Sequence, residues 1–140
     1  MEITGGCLCR GVRYRITAAP ILSRVCWCRN CQYIAAGNGT VNVCFPSAAL
    51  SVEGEPRDYA LTADSGNRMH RRFCANCGTH LFSGAEERPQ LVFVRAGTLD
   101  DCELARPGVT QWIESAPSWA CFDPALPKVA RQAAPVAAAT

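Results

Sequence analysis

Hydrophobic and polar positions alternate along this chain in short runs, and no long segment keeps a helical period. Between Gly11 and Thr17, Val12, Tyr14 and Ile16 alternate with Arg13 and Arg15, the pattern of a half-buried strand. Ala18-Ala19-Pro20 ends that run, and residues 21–25 form a second short apolar run. Residues 32–36 predict a turn of helix, stopped by Gly37-Asn38-Gly39. Val41, Val43 and Phe45 then alternate with Asn42 and Cys44, which assigns Cys44 to the polar face of a strand closed by Pro46. Residues 50–52 and 57–61 read as short strands across the turn Glu53-Gly54-Glu55-Pro56. Asp64-Ser65-Gly66-Asn67 is a hairpin-type connection leading to residues 68–73. Residues 80–84 and 90–97 predict another strand pair, and residues 110–114 a last strand. Many short strands separated by turn signals predict a mostly β chain. The expected organisation is a single domain over residues 1–128, then an Ala/Pro-rich tail, residues 129–140, poorly ordered or held by neighbours.

Composition narrows the class. A chain of 140 residues, 49% hydrophobic and 19% charged, is long enough to bury a core as one globular unit. Its net charge of +2 gives no electrostatic reason to expect nucleic acid or an anionic membrane as partner. No apolar run is long enough to span a bilayer. Glu2 stands where a secretory signal would carry basic residues, and no apolar stretch of signal length precedes Arg10. These features predict a cytoplasmic chain with reduced thiols. Thirteen of the fourteen basic residues are arginine, a side chain suited to bidentate carboxylate recognition, although a genomic bias gives the same count.

The ten cysteines change the picture most. Seven fall into three runs: Cys7-Leu8-Cys9, Cys26-Trp27-Cys28-Arg29-Asn30-Cys31 and Cys74-Ala75-Asn76-Cys77. The C-x-C and C-x-x-C spacings read as metal ligands more easily than as a disulfide framework. Seven is four plus three: a closed tetrahedral zinc takes four thiolates, and three is the protein ligand count of a zinc with an open position. Residues i and i+2 of a regular strand sit about 7 Å apart, so a C-x-C pair sharing a metal needs a bend. Gly5-Gly6 and Gly11 flank that pair and permit one. Gly78, directly after Cys77, suits the left-handed residue of a zinc knuckle.

In order, Cys7-Leu8-Cys9-Arg10-Gly11, the Cys26, Cys28, Cys31 triple and Phe73-Cys74-x-x-Cys77-Gly78 resemble the glutathione-dependent formaldehyde-activating enzyme family, also called the centromere protein V family. Ala96-Gly97-Thr98-Leu99-Asp100-Asp101 and Pro117-Ser118-Trp119 are similar to further signatures of that family, and the likeness spans about residues 4–122. The resemblance implies an Mss4-like fold, small antiparallel β-sheets pinned by zinc. It implies a structural zinc on Cys7, Cys9, Cys74 and Cys77 and a catalytic zinc on Cys26, Cys28 and Cys31, two ions per chain. It also implies a carbon–sulfur lyase-type reaction, the condensation of glutathione with formaldehyde to S-hydroxymethylglutathione. Partners are then a small thiol, with glutathione as co-substrate, and a small electrophile; the oligomeric state is left open. Trp27 stands where the family often has histidine, and Cys102 where it often has proline; neither is an expected ligand.

Two further points of chemistry follow. Sixty-four residues separate Cys9 from Cys74, and closing such a loop costs roughly 4 kcal/mol. A structural zinc contributes about 10–16 kcal/mol of apparent binding free energy, so the metal prevails. Three thiolates on a divalent ion leave a net negative charge, which suits holding an incoming thiol deprotonated better than polarising a carbonyl. Rival arrangements are a closed second site, with Cys44, Cys102, Cys121, His70 or His80 as fourth ligand, and a metal-free redox-active triple. A rival of another class is a non-catalytic zinc β-module that binds a protein. Of the other candidates, His80 reads as a hydrogen-bonded structural histidine and Trp27 and Trp119 as core or rim packing. Arg29, Arg71 and Arg72 read as solvated charges able to hold carboxylates, and Cys102 and Cys121 as buried small hydrophobes.

Overall fold

The computed structural model describes residues 1–135. Ten strands form its framework: β1 (Ile3–Gly6), β2 (Arg13–Ile16), β3 (Leu22–Cys26), β4 (Thr40–Pro46), β5 (Leu50–Glu53), β6 (Arg57–Thr62), β7 (Arg68–Phe73), β8 (His80–Ala85), β9 (Leu91–Arg95) and β10 (Val109–Gln111). One six-residue helix, α1 (Arg29–Ile34), begins inside the cysteine triple. The strands form a three-stranded sheet in the order β1-β2-β5 and a seven-stranded sheet in the order β10-β3-β4-β9-β8-β7-β6. Every pairing is antiparallel except β10 with β3. The fold is mostly β, as the alternation predicts. No helix among the described residues is long and apolar enough to cross a membrane.

Burial follows the period-two pattern and divides the large sheet into two faces. On one face Val43 and Phe45 of β4, Val94 of β9 and Phe82 of β8 pack against Tyr14 and Ile16 of the small sheet, all of them buried. Tyr14 meets Phe82 edge-on at 5.2 Å, and its hydroxyl shares a 2.8 Å hydrogen bond with Thr98. Burial of each large apolar side chain in this layer contributes about 1.5–3 kcal/mol. Asp100, just beyond Thr98, takes Arg13 at 2.5 and 3.1 Å and the Thr4 hydroxyl at 2.6 Å, tying the small sheet to the end of β9. The Arg13 guanidinium, then Thr4, hold the Asp100 carboxyl down to about 2.

Two sequence expectations change here. The first is β1, unforeseen because Gly5-Gly6 carries no strand signal. Gly5 pairs with Tyr14, and a Cβ on it would lie 2.3 Å from both the Thr98 carbonyl oxygen and the Tyr14 hydroxyl. The glycine is there for close approach. The bend in the C-x-C turn falls instead on Arg10, which adopts a left-handed φ of 66°. The second is Cys44. It shares the face of Asn42, as the alternation assigns it, but is wholly buried there, because Leu22, Leu91 and Phe93 cover it.

The other face of the large sheet carries buried polar side chains among apolar ones. Gln111, Cys26 and Thr40 align across β10, β3 and β4; Arg24, Asn42 and Arg95 align across β3, β4 and β9. Phe93, Ser83 and Arg71 continue across β9, β8 and β7. Beyond β10 the chain returns alongside it, with the Thr110 amide donating to Pro127, Val129 to Thr110 and Trp112 to Arg131. Residues 136–140, the end of the tail foreseen from composition, lie outside the described residues.

Candidate functional site

The cysteine runs come together as two groups. In the first, the Sγ atoms of Cys7, Cys9, Cys74 and Cys77 all lie within 4.8 Å of one another. Cys7 and Cys9 sit in the turn between β1 and β2, Cys74 and Cys77 in the turn between β7 and β8, so the group joins the small sheet to the large one. The 3.6 Å Cys7–Cys9 and 3.7 Å Cys9–Cys74 separations match the roughly 3.8 Å expected between thiolates sharing a tetrahedral zinc with 2.3 Å bonds. Gly78 takes the expected left-handed φ of 74°, and its amide donates to the Cys74 carbonyl. The Val12 amide donates to the Cys7 sulfur at 3.2 Å. The Thr79 hydroxyl, 3.2 Å from the sulfur, pulls the Cys77 thiol down to about 5, and Asn76 lowers Cys9.

The second group is Cys26, Cys28 and Cys31, again with sulfurs within 4.8 Å, and all three are buried. Cys26 ends β3, Cys28 caps α1 by accepting the Cys31 amide at 3.4 Å, and Cys31 lies in the first turn. Gln32 fixes this geometry, its amide donating to the carbonyls of Trp27 at 2.8 Å and Ser115 at 2.9 Å. Trp27 is core, set edge-on to Phe122 at 5.6 Å, and its amide donates to Gln111. Three neighbouring thiols resist ionising together: hydrogen bonds from Cys26 and then Cys28 pull Cys31 far down, while Cys26, donating to both, is pushed far up. A bound cation removes that conflict, and the donor sets of both groups are compatible with zinc.

No fourth histidine, cysteine or carboxylate joins the triple among the described residues. Cys26 aligns with Thr40, and Cys44 lies four residues further along β4, about 13 Å away. His70 is held elsewhere, Nδ1 to Asp58 and Nε2 to Glu86 at 2.7 Å each. His80 packs on Phe73 at 5.7 Å, and burial lowers its pKa. Cys102 and Cys121 are exposed, contrary to their reading as buried hydrophobes; they follow the last long strands in turns that cover little.

The triple opens onto a cavity of about 400 Å³, within the usual range for small-molecule sites. Its floor is this other face of the large sheet, and its rim includes Asp64, Trp112, Gln132 and Ala133. Arg71 lines it, whereas Arg29 lies over Tyr33 and Arg72 over Phe82. Trp119 is exposed and lies outside it. Sequence reasoning missed Arg24, Arg88 and Arg95 on the cavity wall. Arg95 is more than nine-tenths buried and donates to Asn42. The register that brings these arginines to one face is a long-range property with no local signal; only the strand parity of Arg24 and Cys26 hinted at it.

A mostly β chain that gathers seven thiols into a four-sulfur and a three-sulfur group, the latter facing a cavity, has donor sets that could hold metal ions and are compatible with zinc. More particularly, the family model described as glutathione-dependent formaldehyde-activating enzyme matches residues 2–115, and the chain belongs to that family. Among solved structures, a Rhodobacter sphaeroides protein determined as a structural-genomics target aligns with a TM-score of 0.55 at 18% identity, over 69% of this chain and 87% of that one. The likeness supports the fold. No curated protein sequence matches the chain.

Proposed function

We propose that the protein is a zinc-dependent enzyme of the carbon–sulfur lyase type, joining glutathione or another small thiol to formaldehyde or a related electrophile. The observation that carries this reading is the contrast between the two sulfur groups: four thiols closed on themselves at the sheet junction, and three facing the cavity without a fourth histidine, cysteine or carboxylate among the described residues. Cys7, Cys9, Cys74 and Cys77 would hold a structural zinc, and Cys26, Cys28 and Cys31 a working one. Zinc on the triple would keep an incoming thiol deprotonated near neutral pH. The reaction is then an addition without redox change: the thiol gives its proton to water, the sulfur pair forms the carbon–sulfur bond, the carbonyl π pair moves to oxygen, and that oxygen takes a proton back from water. The product of thiol and formaldehyde is the S-hydroxymethyl adduct. The chain's own part is to orient the thiol in the cavity and, through Arg24 and Arg95, to supply positive potential where negative charge gathers. The working unit in this reading is one domain, residues 1–128, with the following residues adding to the cavity rim. Its partners are small molecules of the cytoplasm, where thiols stay reduced.

Two-dimensional exchange NMR on glutathione and formaldehyde tests this. The zinc-loaded protein is expected to speed interconversion of free and hydroxymethylated glutathione at least tenfold over buffer, an effect of about 1.4 kcal/mol or more on the barrier. Cys28→Ser is expected to match buffer. Equal rates for the native protein and the variant would count against the proposal.

A further inference from the structure

The cavity wall carries more arginines than carboxylates. Four arginines and two carboxylates, Asp64 and Glu87, line the cavity. Glu87 is engaged by the Arg68 amide at 3.0 and 3.2 Å, and Arg24 donates to the Ala134 carbonyl. Among the described residues, Arg71 and Arg95 have no carboxylate partner. Arg95 donates to Asn42, but its Nε is buried without any hydrogen-bond acceptor. Such an orphan beside a cavity calls for explanation, because buried polar groups are almost always paired.

Register places the two arginines together. Arg71 aligns with Ser83 and Ser83 with Phe93, two residues before Arg95 on β9. Two strand spacings and a two-residue offset put their Cα atoms about 12 Å apart on one face, a gap two long side chains can close from both ends. Ser83 lines the wall between them. Arg95 lines the same cavity as the cysteine triple. Arg71 faces the same cavity, with no carboxylate within 4.0 Å of it among the described residues.

We infer that Arg71, with Ser83 and Arg95, forms an anion subsite that receives a carboxylate of the thiol substrate. For its position relative to the reacting sulfur this rests on the proposed role of the triple; the charge arrangement stands without it. Guanidinium and hydroxyl donors match a carboxylate, and paired charged hydrogen bonds of this kind contribute about 1.5–3 kcal/mol. The substrate class is therefore a thiol bearing a carboxylate, and neutral or cationic thiols are poor ligands.

The test is calorimetric binding to the zinc-loaded protein of thioglycolate and its methyl ester, which share a thiol and differ in charge, and of the S-methyl derivatives of both. The native protein is expected to bind each acid about tenfold more tightly than its ester. Arg71→Gln should abolish the preference and Arg71→Lys keep part of it, with melting curves confirming that both fold. Equal binding of acid and ester by the native protein, or a preference that survives in Arg71→Gln, overturns the subsite. If the S-methyl pair keeps the acid preference while the free thiols bind no better than their S-methyl forms, the subsite is supported and the thiol-binding role of the triple is contradicted.

Discussion

The two sulfur groups differ in what they hold together, so removing one ligand from each should have unequal consequences. Cys9 and Cys74 belong to turns on different sheets, separated by 64 residues of chain. The unfolded chain cannot present those four thiols together, so metal bound there favours the native state in full. The triple spans six residues, and a flexible chain can offer the same three thiols to a metal. Binding to the unfolded state cancels part of the stabilisation. Cys9→Ser should therefore cost at least the roughly 4 kcal/mol of loop closure that the metal offsets. At about 2–4 °C per kcal/mol for a chain near this size, the melting point should fall by on the order of ten degrees. Cys28→Ser keeps a residue well suited to cap α1 in place of a thiol that already accepts the Cys31 amide. It should lower the melting point by only a few degrees, about 1 kcal/mol. Thermal melts by circular dichroism, paired with zinc analysis of each variant, measure both quantities. Comparable losses of stability in the two variants, or the larger loss in Cys28→Ser, would refute the reasoning.

Gly5→Ala should destabilise by about 1–3 kcal/mol, because its Cβ would meet the Thr98 carbonyl and the Tyr14 hydroxyl, one of them backbone that cannot move aside; denaturant titration reads this directly. His70, bridged by Asp58 and then Glu86, has a raised pKa, so the contribution of its charge is present below the ordinary histidine value and is lost as pH rises through the higher folded value. NMR titration should show the raised midpoint in the native protein and an ordinary histidine value after Asp58→Asn with Glu86→Gln, and the native stability should decline across that interval relative to His70→Gln.

Much of the fold was legible because alternation is a local signal. Val12, Tyr14 and Ile16 announced β2, and Val41, Val43 and Phe45 announced β4. Where local signal and global position diverged, the reading failed. Cys44 does share the face of Asn42, yet Leu22, Leu91 and Phe93 from neighbouring strands bury it there. Gly5-Gly6 looked like a hinge and is strand, because what selects glycine there is Tyr14, nine residues away in sequence. The cysteine groups were legible for the same reason as the strands: their spacing is short, and the family resemblance supplied the pairing across the chain. The cavity was not. Arg24, Arg71 and Arg95 come from three strands that meet only through the sheet order, and no neighbour of Arg95 in sequence marks it as buried beside thiols.

The most direct test of the central claim is cadmium-113 NMR of the cadmium-substituted protein, since the resonance position reports the number of thiolates around each ion. Two resonances are expected, one in the four-thiolate region that ignores added glutathione and a second, with fewer thiolates, that moves toward the first when the thiol is added. A single resonance, or two that are both unmoved by glutathione, would contradict an open three-cysteine site.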